Sequence, residues 1–168
     1  MSRLLPLLLL ASCAAAEIRP MNPDAKMQLA RMKELAGSWV TTGGSPGPGA
    51  LVDYRVTAAG NTVEETVFRG SDHEMVTMYH LDGHDLVLTH YCAMGNQPTM
   101  LAGPTSTDGS VTFTCIGGTN FECEKDLHMH QAVFRFEGQD RIRSAWTLRQ
   151  DGAPGETVTM ELARAPAK

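Results

Sequence analysis

Two histidines one residue apart are the most chemically suggestive feature of this chain. They sit in Asp126-Leu127-His128-Met129-His130, which runs into Gln131-Ala132-Val133-Phe134-Arg135-Phe136. On a strand, alternate side chains share a face. His128 and His130 then stand with Ala132, Phe134 and Phe136, while Met129, Gln131, Val133 and Arg135 take the other side. The three apolar residues mark the histidine face as the inside. A second row, His90-Tyr91-Cys92-Ala93-Met94, sets an imidazole, a thiol and a thioether on one face in the same way. All three groups bind metals. His-x-His on a strand places two rings about 6–7 Å apart at the backbone, close enough to share one ion. With His90 as a third donor the set resembles a catalytic zinc site that keeps one position open to water. Cys92 and Met94 shift the preference towards copper. The other reading is a polar lining, in which the histidines hydrogen-bond a ligand, a buried carboxylate or trapped water. An inward histidine can also serve haem as axial donor.

The hairpin around Asp82-Gly83 sets the sidedness of these rows. Odd positions of its first strand pair with even positions of its second. One face therefore carries Met75, Thr77, Tyr79, Leu81, Leu86, Leu88, His90 and Cys92. The opposite face carries Val76, Met78, His80, Val87, Thr89 and Tyr91 and is less rich in large aliphatics, so the first is taken as inside. In the strand before the hairpin, Glu65 shares a face with Val63 and Val67, which turns it inward as a ligand to metal or substrate, or as a base. Trp39, Tyr54, Tyr79 and Phe134 supply the apolar wall. His73, His80 and His84 lie near turns or on the outer face and read as solvated surface. Most of the ten methionines read as core filler.

These residues are carried by short segments between explicit turns. Asn22-Pro23-Asp24 is a helix start, with Asn as N-cap and Pro at the first position. The helix runs to about Ala36, with Ala25, Leu29, Met32 and Ala36 as its apolar stripe and Gly37 as its stop. Strands follow at 38–43, 50–58, 62–69, 74–81, 86–93, 98–103, 110–116, 127–137, 140–149 and 156–164. Turn signals such as Asp82-Gly83, Asp108-Gly109 and Asp151-Gly152 separate them. The expected fold is all-β: one antiparallel up-and-down barrel of about ten strands after one helix. Closure removes the exposed edges; a two-sheet sandwich is the alternative. No internal repeat or second domain is visible.

The chain opens with "MSRLLPLLLLASCAAAE". Arg3 is a positive region and the apolar run after it is too short to span a bilayer. Leu10-Ala11-Ser12-Cys13 resembles a bacterial lipobox, which implies a signal peptide over 1–12, a lipid on Cys13, a tether over 13–22 and a domain over 23–168. A plain secretory signal cut after Ala16 is the alternative. Both predict export, to the periplasm or the cell envelope, and the first adds a membrane anchor. In an oxidising compartment Cys115 and Cys123, which bracket a Gly-rich stretch, are the expected disulfide, with Cys92 left over. The net charge of −5 and the lack of a basic stripe argue against nucleic acid as a partner. No nucleophile elbow, phosphate loop or His-Glu-x-x-His motif is present.

Leu35-Ala36-Gly37-Ser38-Trp39 resembles the Gly-x-Trp opening of lipocalin-like (calycin) barrels. That resemblance implies a basic residue of the last strand over the Trp, which here falls on Arg164. The run from His73 to Pro98, with His128-Met129-His130, resembles a family of exported bacterial proteins of unknown function expected to share the barrel. Together these imply a barrel that binds a small, largely apolar ligand in an interior lined by His90, His128 and His130. The alternative is a metal-dependent enzyme or a zinc or copper carrier that uses those histidines with Cys92.

Overall fold

The computed structural model describes residues 21–166. The expected signal peptide, Cys13 and almost all of the tether lie outside them. The helix α1 spans Ala25–Lys33. Its buried Ala25, Gln28, Leu29 and Met32 recur at the spacing of one helical face. It is shorter than expected at both ends. Asn22 does not cap it: its Oδ1 accepts from the Asp24 N–H at 3.0 Å, and its amide donates to Gln28 Oε1 at 3.0 Å. The chain therefore turns once before the helix starts, and a second turn closes after Lys33.

Ten strands follow: β1 Gly37–Gly44, β2 Leu51–Thr57, β3 Thr62–Val67, β4 Met75–Asp82, β5 Asp85–Tyr91, β6 Gln97–Ala102, β7 Val111–Thr119, β8 His128–Phe136, β9 Arg141–Gln150 and β10 Ala153–Arg164. Each pairs antiparallel with its neighbours, and β1 pairs with β10, so the sheet is a closed barrel. This is the all-β architecture the turn pattern predicts, and it is consistent with a lipocalin-like fold. Closure leaves no free ladder edge.

At one end of the barrel, Trp39 Nε1 donates to the Leu35 carbonyl at 2.8 Å, and the Arg164 guanidinium lies 4.5 Å from the Trp39 ring centre. Arg164 also donates to the Ala36 and Glu34 carbonyls, at 3.0 and 3.1 Å. One side chain thus ties the last strand to the end of the helix and to the first strand.

The interior is filled by side chains. Trp39, Tyr54, Tyr79, Leu86, Leu88, Phe113, Phe134 and Trp146 are buried. Tyr79, Phe113 and Phe134 meet edge to face, with centroids 5.8–6.0 Å apart. The β4–β5 hairpin has the expected sidedness: Thr77 pairs with His90 and Tyr79 with Leu88, and all four are buried. Glu65, paired with Thr77 and Tyr54, is inside as well.

Candidate metal centre

The expected histidine face is broken by a bulge in β8. Met129 pairs with Leu148 and Gln131 with Thr147, so His130 is the extra residue. A bulge bends the strand and re-aims the side chains beside it. Met129 turns into the core. His128 is fully buried, its ring centroid 4.5 Å from that of Phe121 in the β7–β8 connection. His130 is half-buried and opens onto an outer groove of about 240 Å³ that it shares with Gln131, Leu148 and Arg149. The expectation that both rings face the barrel interior thus fails for His130.

What the bulge assembles is a different donor set. One ligand atom from each of Cys115, His128 and His130 lies within 4.8 Å of the others. It is the one such group of three among the described residues, and it includes neither His90 nor Cys92. Cys92 sits in the turn after β5, where its N–H donates to the Asn96 carbonyl, and Met94 is exposed. The three-histidine site is corrected accordingly.

Hydrogen bonds define the protons of the pair. His128 Nδ1 lies 2.8 Å from the Asp126 carbonyl, which can only accept. His128 therefore carries its proton on Nδ1 and presents a lone pair at Nε2. Ligand histidines are commonly oriented in this way, the far nitrogen donating to a carbonyl. His130 Nδ1 is 3.2 Å from that lone pair, and Arg149 Nη1 donates to His130 Nε2 at 3.2 Å. The protons thus run Arg149 to His130 to His128 to Asp126. Burial, then the Arg149 guanidinium, hold the His130 imidazole below its ordinary pKa, with Glu124 pulling the other way. Burial foremost pushes the Cys115 thiol up, and the neighbouring Cys123 adds to this, opposed by the Gly117 amide and Arg149.

Cys115 and Cys123 are free thiols in the structure, as is Cys92. The expected bridge between the first two is not formed. Ile116 to Thr119 do not form a loop but extend β7, where Gly117 and Gly118 pair with Thr99 and Pro98. Cys123 is nonetheless near enough to push the Cys115 thiol up, and Cys115 Sγ donates to the Gly117 carbonyl at 3.5 Å.

His90 belongs to a second, internal network. Glu65 accepts from Tyr54 Oη at 2.6 Å and Tyr79 Oη at 2.5 Å. His90 Nδ1 is 2.9 Å from Thr77 Oγ1. Burial pushes the Glu65 carboxyl up, against the pull of the Tyr54, Tyr79 and Thr77 hydroxyls around it. Burial alone lowers the His90 pKa to about 4. The space beside His90, about 30 Å³, has room for one water-sized species. Haem or a drug-sized ligand needs roughly 300–1,000 Å³. The histidine-lined ligand chamber with Trp39, Tyr54, Tyr79 and Phe134 as its wall is therefore packed core at this point.

His90 makes stability pH-dependent. Its ordinary value of 6.5 falls to about 4 on folding. Between these values the unfolded chain binds more protons, so stability is full above 6.5 and falls as pH drops towards 4, by about 3 kcal/mol. The raised Glu65 works oppositely, losing stability as pH rises. His90→Gln should therefore flatten the acid limb of the urea midpoint plotted against pH, relative to the parent. A limb of unchanged slope would show that His90 does not set it.

Sequence reasoning did not place Cys115 with the histidines, because it was assigned to a bridge. The signal was present: Val111, Phe113 and Cys115 alternate on one face, next to the strand that carries the histidines. Arg149 and Phe121 had no comparable signal. Compared with known proteins, the chain matches no family model, and no curated protein sequence matches it.

Proposed function

We propose that this protein is an exported, lipocalin-like barrel that binds a transition-metal ion, zinc foremost, through Cys115, His128 and His130. The observation that carries the reading is the convergence of one sulfur and two imidazole donors within 4.8 Å, with His128 already held in a ligand tautomer. Donors around a tetrahedral zinc stand roughly 3.3–3.8 Å apart, given its bond lengths, and the two histidine nitrogens are 3.2 Å apart. A thiolate with two imidazoles suits zinc and, equally in donor type, copper. His130 and Cys115 are only half-buried, so a fourth position is open to water or to an exchanging ligand, as in a carrier or an open catalytic site. Cys123 stands beside Cys115 as a further sulfur. Export and the anchor on Cys13 rest on the leader and its lipobox.

Binding must release the Cys115 thiol proton to solvent, since the ligand is the thiolate, and relocate one proton on His130. His130 faces the site through Nδ1, so loading moves its proton to Nε2, where Arg149 now donates. Arg149 must then swing to Glu124, whose Oε2 is 3.3 Å from its Nη2. Arg149→Gln should therefore tighten zinc binding about tenfold, by removing a competing donor and a like charge hydrogen-bonded to the ligand imidazole. His128→Ala and Cys115→Ser should each abolish binding with the barrel intact. Zinc titration of the purified protein, read against circular dichroism, checks both. Undiminished zinc affinity in Cys115→Ser would remove the site.

A further inference from the structure

Met21 and Met27 are the most exposed large apolar side chains among the described residues, at 67% and 61%. Both stand at α1. The helix buries Ala25, Gln28, Leu29 and Met32 against the barrel, so Lys26, Met27 and Ala30 form its outer face, with Lys33 half-buried at the edge. Lys26 and Lys33 make no ion pair among the described residues. Grooves of about 230 and 410 Å³ run beside the helix, one lined by Met21, Lys26 and Leu81, the other by Met27, Val111 and Phe136.

The helix closes one end of the barrel. Gln28 Nε2 donates to the Gly103 carbonyl at 2.9 Å, Arg31 Nη2 donates to the Gly138 carbonyl at 3.4 Å, and the first groove reaches Gly83. These are the β6–β7, β8–β9 and β4–β5 turns. Consecutive antiparallel strands put alternate connections at opposite ends, so the β5–β6 and β7–β8 connections lie at the far end. Cys115, late in β7, and His128 and His130, early in β8, stand there. That end has exposed apolar side chains of its own, Tyr91, Met94 and Leu127, so exposure alone does not choose between the ends. Chain length does. Eight residues lead from Cys13 to Met21, and they reach at most about 28 Å. Strands of about eight residues, tilted as barrels require, give a height of roughly 20 Å. The far end can meet a bilayer that holds Cys13 only if the tether runs nearly straight down the barrel wall. The helix meets it however the tether runs.

We propose that the outer face of α1, together with Met21, lies against the bilayer that holds the Cys13 lipid, so that the metal centre points away from the membrane. This rests on the anchor proposed above. At nine residues the helix is too short to cross a membrane, and its pattern is that of an interfacial helix. Met21 and Met27 enter the apolar boundary beneath the headgroups, while Lys26 and Lys33 reach up to lipid phosphates. Asp82 and Asp85, in the neighbouring turn and without an ion pair among the described residues, keep the contact weak. A weak contact suffices, because the tether holds the face at high local concentration beside the membrane. The open position of the metal centre then faces the soluble phase, so the ion exchanges with a soluble donor or acceptor.

The test supplies the tether chemically, so its outcome does not depend on whether the cell lipidates Cys13. The mature chain from Cys13, with Cys92, Cys115 and Cys123 replaced by serine, is coupled through Cys13 to a maleimide lipid in vesicles of phosphatidylethanolamine and phosphatidylglycerol. Hydrogen peroxide then oxidises exposed methionines, and mass spectrometry reads each one. Oxidation of Met21 and Met27 should be slower by about fivefold or more than in the same chain capped with a soluble maleimide, with Met94 unchanged. Acetylation of Lys26 should slow as well, and Met27→Glu should restore it. Should the serine variant not fold, an N-terminal six-histidine tail on a nickel-chelating lipid holds the unsubstituted chain in its place. Release of Cys13→Ala from cell membranes judges the anchor separately, so the anchor and the orientation can fail apart. Met21 and Met27 oxidised as fast on the vesicle as in solution would overturn the orientation, and so would protection of Met94 in their place.

Discussion

Glu65→Ala should lower unfolding stability by about 3–5 kcal/mol, although the residue holds no element in place. The Tyr54 and Tyr79 hydroxyls would lose their acceptor inside a packed barrel, at about 1–3 kcal/mol each. The missing carboxyethyl group would leave a cavity as well. Glu65→Gln keeps the volume and one acceptor oxygen, and should cost less than half as much. The informative variant replaces the whole network: Tyr54→Phe, Glu65→Leu and Tyr79→Phe together should recover most of the loss, because a buried polar set replaced entire by apolar groups is often close to neutral. Urea denaturation of the four proteins decides it. A Glu65→Ala protein within 1 kcal/mol of the parent would mean that the tyrosines find water instead. A triple variant no more stable than Glu65→Ala would mean that shape, not polar satisfaction, sets the cost.

Trp39→Ala should be of similar size, about 3–5 kcal/mol, for a different reason. The indole is 0% exposed and lies at the pairing of β1 with β10, where Trp39 sits opposite Arg164. Its removal takes away the Nε1 bond to Leu35, the edge contact with Tyr54 and the surface beneath the guanidinium. Trp39→Phe keeps most of the area and should cost about half. Arg164→Lys, which cannot hold the Glu34 and Ala36 carbonyls while lying flat on the ring, should cost less than Trp39→Ala and add little on top of it. Thermal melts of the single and double variants read this coupling. Full additivity would show that the two side chains close the barrel independently.

The strands were legible because tight turns punctuate the chain and the hairpin from Met75 to Tyr91 has one richer face. Glu65, Tyr79 and His90 could be placed inside by period-two alternation alone. The same alternation failed at His130, because a bulge adds one residue and no local sequence signal announces it. Packing against the β7–β8 connection, through Phe121 over His128, is long-range information. The helix ended short of Ala36 because its last turn tightens, with Leu35 and Ala36 donating to the Met32 and Lys33 carbonyls, and Arg164 from the far end of the chain holds the Glu34 and Ala36 carbonyls beyond it. The place of Cys115 beside the histidines was hidden for a reason of the same kind. Its closeness to Cys123 in sequence suggested a bridge, while its closeness to His128 arises only once β7 and β8 lie side by side.

The central claim is that Cys115, His128 and His130 close on one metal ion. The most direct measurement is the absorption spectrum of the cobalt(II)-loaded protein, compared with that of Cys115→Ser. Cobalt(II) should give a thiolate-to-metal charge-transfer band and the intense visible bands of four-coordinate geometry, and Cys115→Ser should lose the charge-transfer band. A parent spectrum no different from that of aqueous cobalt(II) would contradict the site.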